Sequence, residues 1–167
     1  MTRFSALRGL PGPVRWLAPS AALLGSAALV LGNWPAEAVV TPPVPPADQA
    51  AYCQALKQAL PATVQGHQRH DPSPASPYTA AWDSSPRTVL RCGVPRPAYL
   101  DQNADQDAPE VNDVQWGMGS DGHGGYRFVT ALRKVYVEVE IPKGAYPNYA
   151  DALPSLADAI KATDPPW

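Results

Sequence analysis

The sharpest pattern of apolar and polar positions is "KVYVEVEIP", residues 134–142, where Val135, Val137, Val139 and Ile141 alternate with Tyr136, Glu138 and Glu140. A period of two sends successive side chains to opposite faces of a strand, so it predicts one buried face, one wet face and an antiparallel sheet. "RTVLRC" (87–92), closed by Gly93 and Pro95, reads as a second strand. "VNDVQW" (111–116) and Tyr126 to Leu132 read as two more. Two stretches repeat at helical spacing instead. "ADQAAYCQALKQAL" (47–60) carries Ala50, Cys53, Leu56 and Leu60 on one stripe, with Asp48 as the expected N-cap and Pro61 as the stop. "YPNYADALPSLADAIKA" (146–162) aligns Tyr149, Leu153, Leu156 and Ile160, and Pro154 either opens a separate helix or kinks a single one. Gln65 to Pro86 shows little regular pattern and reads as a loop. The elements together predict an α+β fold: a two-layer sandwich of a mainly antiparallel sheet with helices on one face.

Composition agrees with one packed domain. Hydrophobic residues are 45% of 167 and charged residues 17%, which excludes wholesale disorder. Proline is over-used, 21 residues against the usual ~5%, so short elements joined by stiff turns are expected.

The first forty residues decide the compartment. A leader with Arg3, Arg8 and Arg15 precedes an uncharged stretch from Trp16 to Trp34. That charge bias keeps the N-terminus in the cytoplasm and sends the rest outside. As a helix the stretch would be roughly 27 Å long at ~1.5 Å per residue, close to the hydrocarbon thickness, and its terminal tryptophans suit the two interfaces. Ala36-Glu37-Ala38 equally offers small residues for signal-peptidase cleavage before Val39. Two locations follow: a single-pass protein of the cytoplasmic membrane with its C-terminal domain outside, or a secreted protein cleaved near Ala38. Residues 1–38 are thus read as signal or anchor, 39–49 as a proline-rich spacer and 50–167 as the extracytoplasmic domain. Setting aside Arg3, Arg8, Arg15 and Glu37 changes 13 basic and 15 acidic side chains to 10 and 14, a net charge of −4. A domain of that sign has no electrostatic reason to seek nucleic acid or anionic lipid, and nucleic acid is not an expected partner.

Outside the cytoplasm, Cys53 and Cys92 are expected to form a disulfide. Arg91 and Arg96 near Cys92 would suit a reactive thiolate, but Arg91 is adjacent on a strand and points to the other face, and no Cys-x-x-Cys is present. "GMGSDG" (117–122) matches the dinucleotide template, yet a strand follows where a helix is required, so it reads as a glycine-rich connection between strands. The acidic run from Asp101 to Asn112 resembles a calcium loop but has Gln106 and Asn112 where glycine and glutamate belong. His67, His70 and Asp71 lie between Gly66 and Pro72 with no further ligand nearby, so they read as solvent-facing loop residues. Glu138 and Glu140, about 7 Å apart at strand rise, form a carboxylate pair of the kind sugar hydrolases use, although a wet sheet face explains them equally. Arg91, Arg96, Trp82 and Trp116 are candidate binding residues, and both tryptophans fit the core as well. No catalytic residue, metal site or cofactor is expected.

In order, "YCQALKQALP", "VLRCGVPRP", "VNDVQW", "YRFVTALRKVYVEVEIP" and a closing amphipathic helix resemble the actinobacterial domain-of-unknown-function 3515 family, short exported or membrane-anchored proteins. The resemblance runs from Ala50 to the C-terminus. The family has no assigned activity, so no catalytic residue carries over, while its two matched cysteines support the bridge. The expectation is a non-enzymatic envelope protein that binds an extracytoplasmic protein or a cell-wall component and meets the membrane through its N-terminal segment. A cell-wall-directed hydrolase and a calcium-stabilised module are the alternatives.

Overall fold

The computed structural model describes residues 38–100 and 109–167. Helix α1 (Ala47–Ala59) is followed by β1 (Thr63–Val64), β2 (His67–His70), β3 (Thr79–Trp82) and β4 (Thr88–Cys92). Then come β5 (Glu110–Val111), β6 (Val114–Ser120), β7 (Tyr126–Ala131), β8 (Val137–Ile141) and helix α2 (Leu153–Thr163). The eight strands form one curled sheet in the order β1-β2-β3-β4-β8-β7-β6-β5, and every neighbouring pair is antiparallel. Two four-stranded meanders therefore meet along β4 and β8. The class is α+β, as the alternation implied.

Register sorts the side chains. Leu90 faces Val139 and Cys92 faces Val137, so these share a face with Ile141 and Phe128 and join the buried cluster that also holds Leu56, Leu153, Leu156 and Ile160. The Cys53–Cys92 disulfide ties α1 to the end of β4, with Cα atoms 5.5 Å apart. Arg69 of β2 donates to the carbonyls of Leu60 and Lys57 at 2.6 and 3.4 Å, which closes the C-terminus of α1 with a cation. Pro154 lies in the first turn of α2, where its missing N–H costs nothing.

Four local readings are corrected. The residue before α1 is Pro46, with Asp48 inside the first turn, since proline pre-sets the backbone there. The supposed loop from Gln65 onward contains β2 and β3, and it opens on a two-residue hairpin turn at Gln65 and Gly66, both at positive φ. "VNDVQW" is a hairpin rather than one strand: Asn112 and Asp113 take φ of 50° and 62°, and Val111 pairs with Val114. The proline-rich segment lies along the domain instead of standing it off. Val40 is buried and donates to the Ser73 carbonyl at 2.9 Å, and Ser73 donates to the Ala38 carbonyl at 2.8 Å. Pro45 packs so closely on Gly93 that a Cβ there would fall 2.4 Å from it. Among the described residues no helix is long and apolar enough to cross a membrane, and the stretch read as signal or anchor lies outside the described residues up to Glu37.

Candidate functional site

Glu138 and Glu140 share a sheet face, as their spacing requires, but that face is not simply wet. Arg91 of β4 sits between them: its Nε donates to Glu138 Oε1 at 3.0 Å and its Nη2 to Glu140 Oε2 at 2.6 Å. Arg127 of β7 approaches Glu140 from the other side at 3.6 Å. The guanidinium fills the gap that a sugar and its attacking water would occupy between two catalytic carboxylates. Arg91, a candidate binding residue, is thereby engaged in holding the sheet.

The same face explains "GMGSDG". Gly117 and Gly119 are two apart on β6, hence on one side, and residues 99–100 lie across them. A Cβ at Gly117 would fall 1.9 Å from Leu100 Cδ2, and one at Gly119 would fall 2.9 Å from the Tyr99 ring. The glycines make room for the chain's own Leu100 and Tyr99 side chains, not for a phosphate. Gly117 to Ser120 belong to the strand, and the connection proper is 121–125. Burial pushes the Tyr99 phenol up to about 12, helped by Glu138 and opposed by Arg127.

The remaining candidates separate. Trp82 and Trp116 are fully buried, so they belong to the core and not to a binding patch. Trp116 meets Phe128 edge-on at 6.5 Å. Arg96 lies over the Tyr136 ring and donates to its hydroxyl at 2.9 Å. It borders a groove of about 400 Å³ formed with Pro43, Val44, Val94 and Tyr136. His67 and His70 are in β2, not a loop: His67 meets the Tyr146 ring, His70 pairs with Asp83, and Asp71 pairs with Lys57. Most of the calcium-loop candidate, 101–108, lies outside the described residues. Its last position, Asn112, is in the β5–β6 turn and donates to Asp158 at 2.8 Å.

A site the sequence reading did not mark lies at the far end of β7 and β8. The 121–125 turn is folded by Asp121, whose Oδ1 accepts from the N–H groups of His123 and Gly125 at 2.7 and 2.8 Å. Those two bonds, His123 first, hold the carboxyl below its usual range. Across from the turn runs the segment after β8. Between them is a cleft of about 170 Å³ lined by Gly124, Tyr126, Ile141, Lys143, Tyr146 and Tyr149. Tyr149 is stacked on Phe128 at 13° and lies 4.6 Å from the Tyr126 ring, yet it remains 47% exposed. Tyr146 is the buried member. Burial raises its phenol, while the nearby Thr88 and Ser84 hydroxyls oppose the shift. The result is an aromatic wall braced from behind, with a lysine at its rim. A count of tyrosines near glycine turns would have hinted at it; helical periodicity assigned Tyr149 to the core instead.

Fold and clefts define a disulfide-tied α+β domain with an eight-stranded antiparallel sheet. The chain belongs to the family described as protein of unknown function (DUF3515), whose model matches residues 17–166. No curated protein and no solved structure matches it.

Proposed function

We propose that this protein is a non-enzymatic binding domain held outside the cytoplasmic membrane by its N-terminal apolar stretch, and that its tyrosine cleft takes the sugar part of a cell-wall component. The carrying observation is Tyr149, a half-exposed ring backed by Phe128 and Tyr126. A flat aromatic face of this kind suits the C–H face of a pyranose, and Lys143 at the rim supplies hydrogen-bond donors. The family match begins at residue 17, inside the apolar stretch, which supports treating that stretch as part of the working protein. In this reading the sheet and the two helices are the two layers of a sandwich, helices on the side of Leu90, Val137 and Val139.

The test is titration of the full chain with soluble cell-wall glycan fragments. Tyr149→Ala is expected to weaken binding by about tenfold, the equivalent of ~1.4 kcal/mol. The ring also packs on Phe128 and Tyr126, so the melt of the variant is recorded beside its affinity to show that it is folded. Equal affinity in wild type and variant, or no binding by either, overturns the proposal. Shortening of the fragment by wild type but not by a Glu138→Gln/Glu140→Gln variant would establish the hydrolase instead.

A further inference from the structure

We infer that the end of the sheet where the chain joins the domain rests on a lipid surface, with Val39, Val44, Leu132 and Trp167 in the interface. The inference rests on the membrane-held reading above and adds which face meets the bilayer.

Antiparallel register brings the ends of β2, β4 and β7 and the starts of β3, β6 and β8 to this one end. Four of the six exposed large hydrophobic residues among those described belong to it: Val39 at 87%, Val44 at 92%, Leu132 at 49% and Trp167 at 69%. Val39, Leu132 and Trp167 are tied by backbone, and Val44 by the packing of its neighbour. Val39 is bridged to Ser73, and Val44 precedes the Pro45 that packs on Gly93. Leu132 follows β7 at positive φ, and its carbonyl accepts from Trp167 N at 3.2 Å. Single exposed apolar residues are ordinary, whereas several gathered at one place mark a contact surface.

Chain length selects the occupant. Ala38 is already hydrogen-bonded to Ser73, and the apolar stretch ends at Trp34. Four residues span at most about 14 Å when extended, so this end is kept close to the headgroups. The chemistry fits an interface: Lys134 lies 4.6 Å from the Trp167 ring centroid, a pair with one apolar body and one wet tip. Asp71 and Asp113 at this end are each matched by a lysine, Lys57 and Lys161. Nothing comparable tethers a second copy.

The full chain, labelled with fluorotryptophan at its five tryptophans, can be reconstituted in phosphatidylcholine nanodiscs carrying a headgroup-bound gadolinium lipid. Trp16→Phe, Trp34→Phe and Trp167→Phe assign three fluorine resonances and leave two for buried Trp82 and Trp116. The expected result is that Trp34 and Trp167 broaden several-fold more than the core pair. Broadening of Trp34 with Trp167 unchanged overturns the inference and leaves the anchor standing. If neither responds, anchor and inference fall together. A Trp167 line that responds to protein concentration and not to gadolinium assigns the face to a second copy, which also overturns it.

Discussion

The two ends of the sheet are built from different chemistry. At the end where the chain joins, proline and valine side chains, a C-terminal tryptophan and the disulfide gather around the start of β8. At the far end a glycine turn and three tyrosines frame a small cleft, with Tyr149 half exposed. The strands between them are shared, so the contrast comes from the connections. Those at the first end are fastened to the domain body by Cys92, Ser73 and Asp164, whereas the far turn is organised by its own Asp121. A scaffold whose ends are secured separately can have one end occupied by a surface while the other stays free to bind.

The disulfide offers the largest test. Its cysteines are 39 residues apart. A loop of that size contributes about 4 kcal/mol on the chain-entropy model. Cys53→Ser/Cys92→Ser should lose about that much in denaturant melts. Hydrogen exchange should speed first in α1 and in residues 38–46. Equal loosening of the 121–125 turn would show that the two ends are not secured separately.

Asp164 comes next. Its side chain is buried beside Arg133, which donates to the Asp164 carbonyl at 2.6 Å. Burial raises the carboxyl from 3.8 to about 7, against the pull of the Val135 and Lys134 N–H groups and the Arg133 guanidinium. The folded state therefore holds the proton more tightly than the unfolded chain does. Its stabilising contribution is complete below pH 3.8, declines as pH rises and is gone above about 7. Asp164→Asn should remove this slope and gain about 2–3 kcal/mol at pH 8, with little change at pH 4. Chemical denaturation at the two pH values reads it. The gain should appear in the segment 132–134 and 165–167, not in the tyrosine cleft.

How much of this was legible in the sequence depended on whether one strand's own pattern sufficed. "KVYVEVEIP" announced β8 because one face is fully buried, and the cysteines announced their bridge by being the only pair in the sequence. β1, β2 and β3 were invisible. β1 is two residues long, and β3 reads buried on both faces, so neither shows a period of two. Glu138 and Glu140 were placed on the correct face, but Arg91, 47 residues before Glu138, was assigned elsewhere because pairing of β4 with β8 is a tertiary fact. The tyrosine cleft was hidden for the same reason: Tyr126 is in β7 and Tyr149 in the connection between β8 and α2, and only the fold brings them together.

A matched pair of glycines sharpens the comparison with the smallest effects. Gly93 has φ of +84° and its missing Cβ would lie 2.4 Å from Pro45. Gly125 has no positive φ, but a Cβ there would lie 2.3 Å from Asp121 Oδ2 and 2.7 Å from the Ile141 carbonyl. Overpacking of this sort costs about 1–3 kcal/mol, so each alanine should destabilise by about 2 kcal/mol. The location of the damage is the useful part. Gly93→Ala should push Pro45 away and expose the 38–40 backbone to exchange while the proposed glycan binding at the far end is unchanged. Gly125→Ala should part the turn from the segment after β8 and weaken binding with the clasp at Ser73 intact. If Gly93→Ala also weakens sugar binding, a displacement at one end has crossed β8 to the other, and the sheet couples the two ends instead of insulating them.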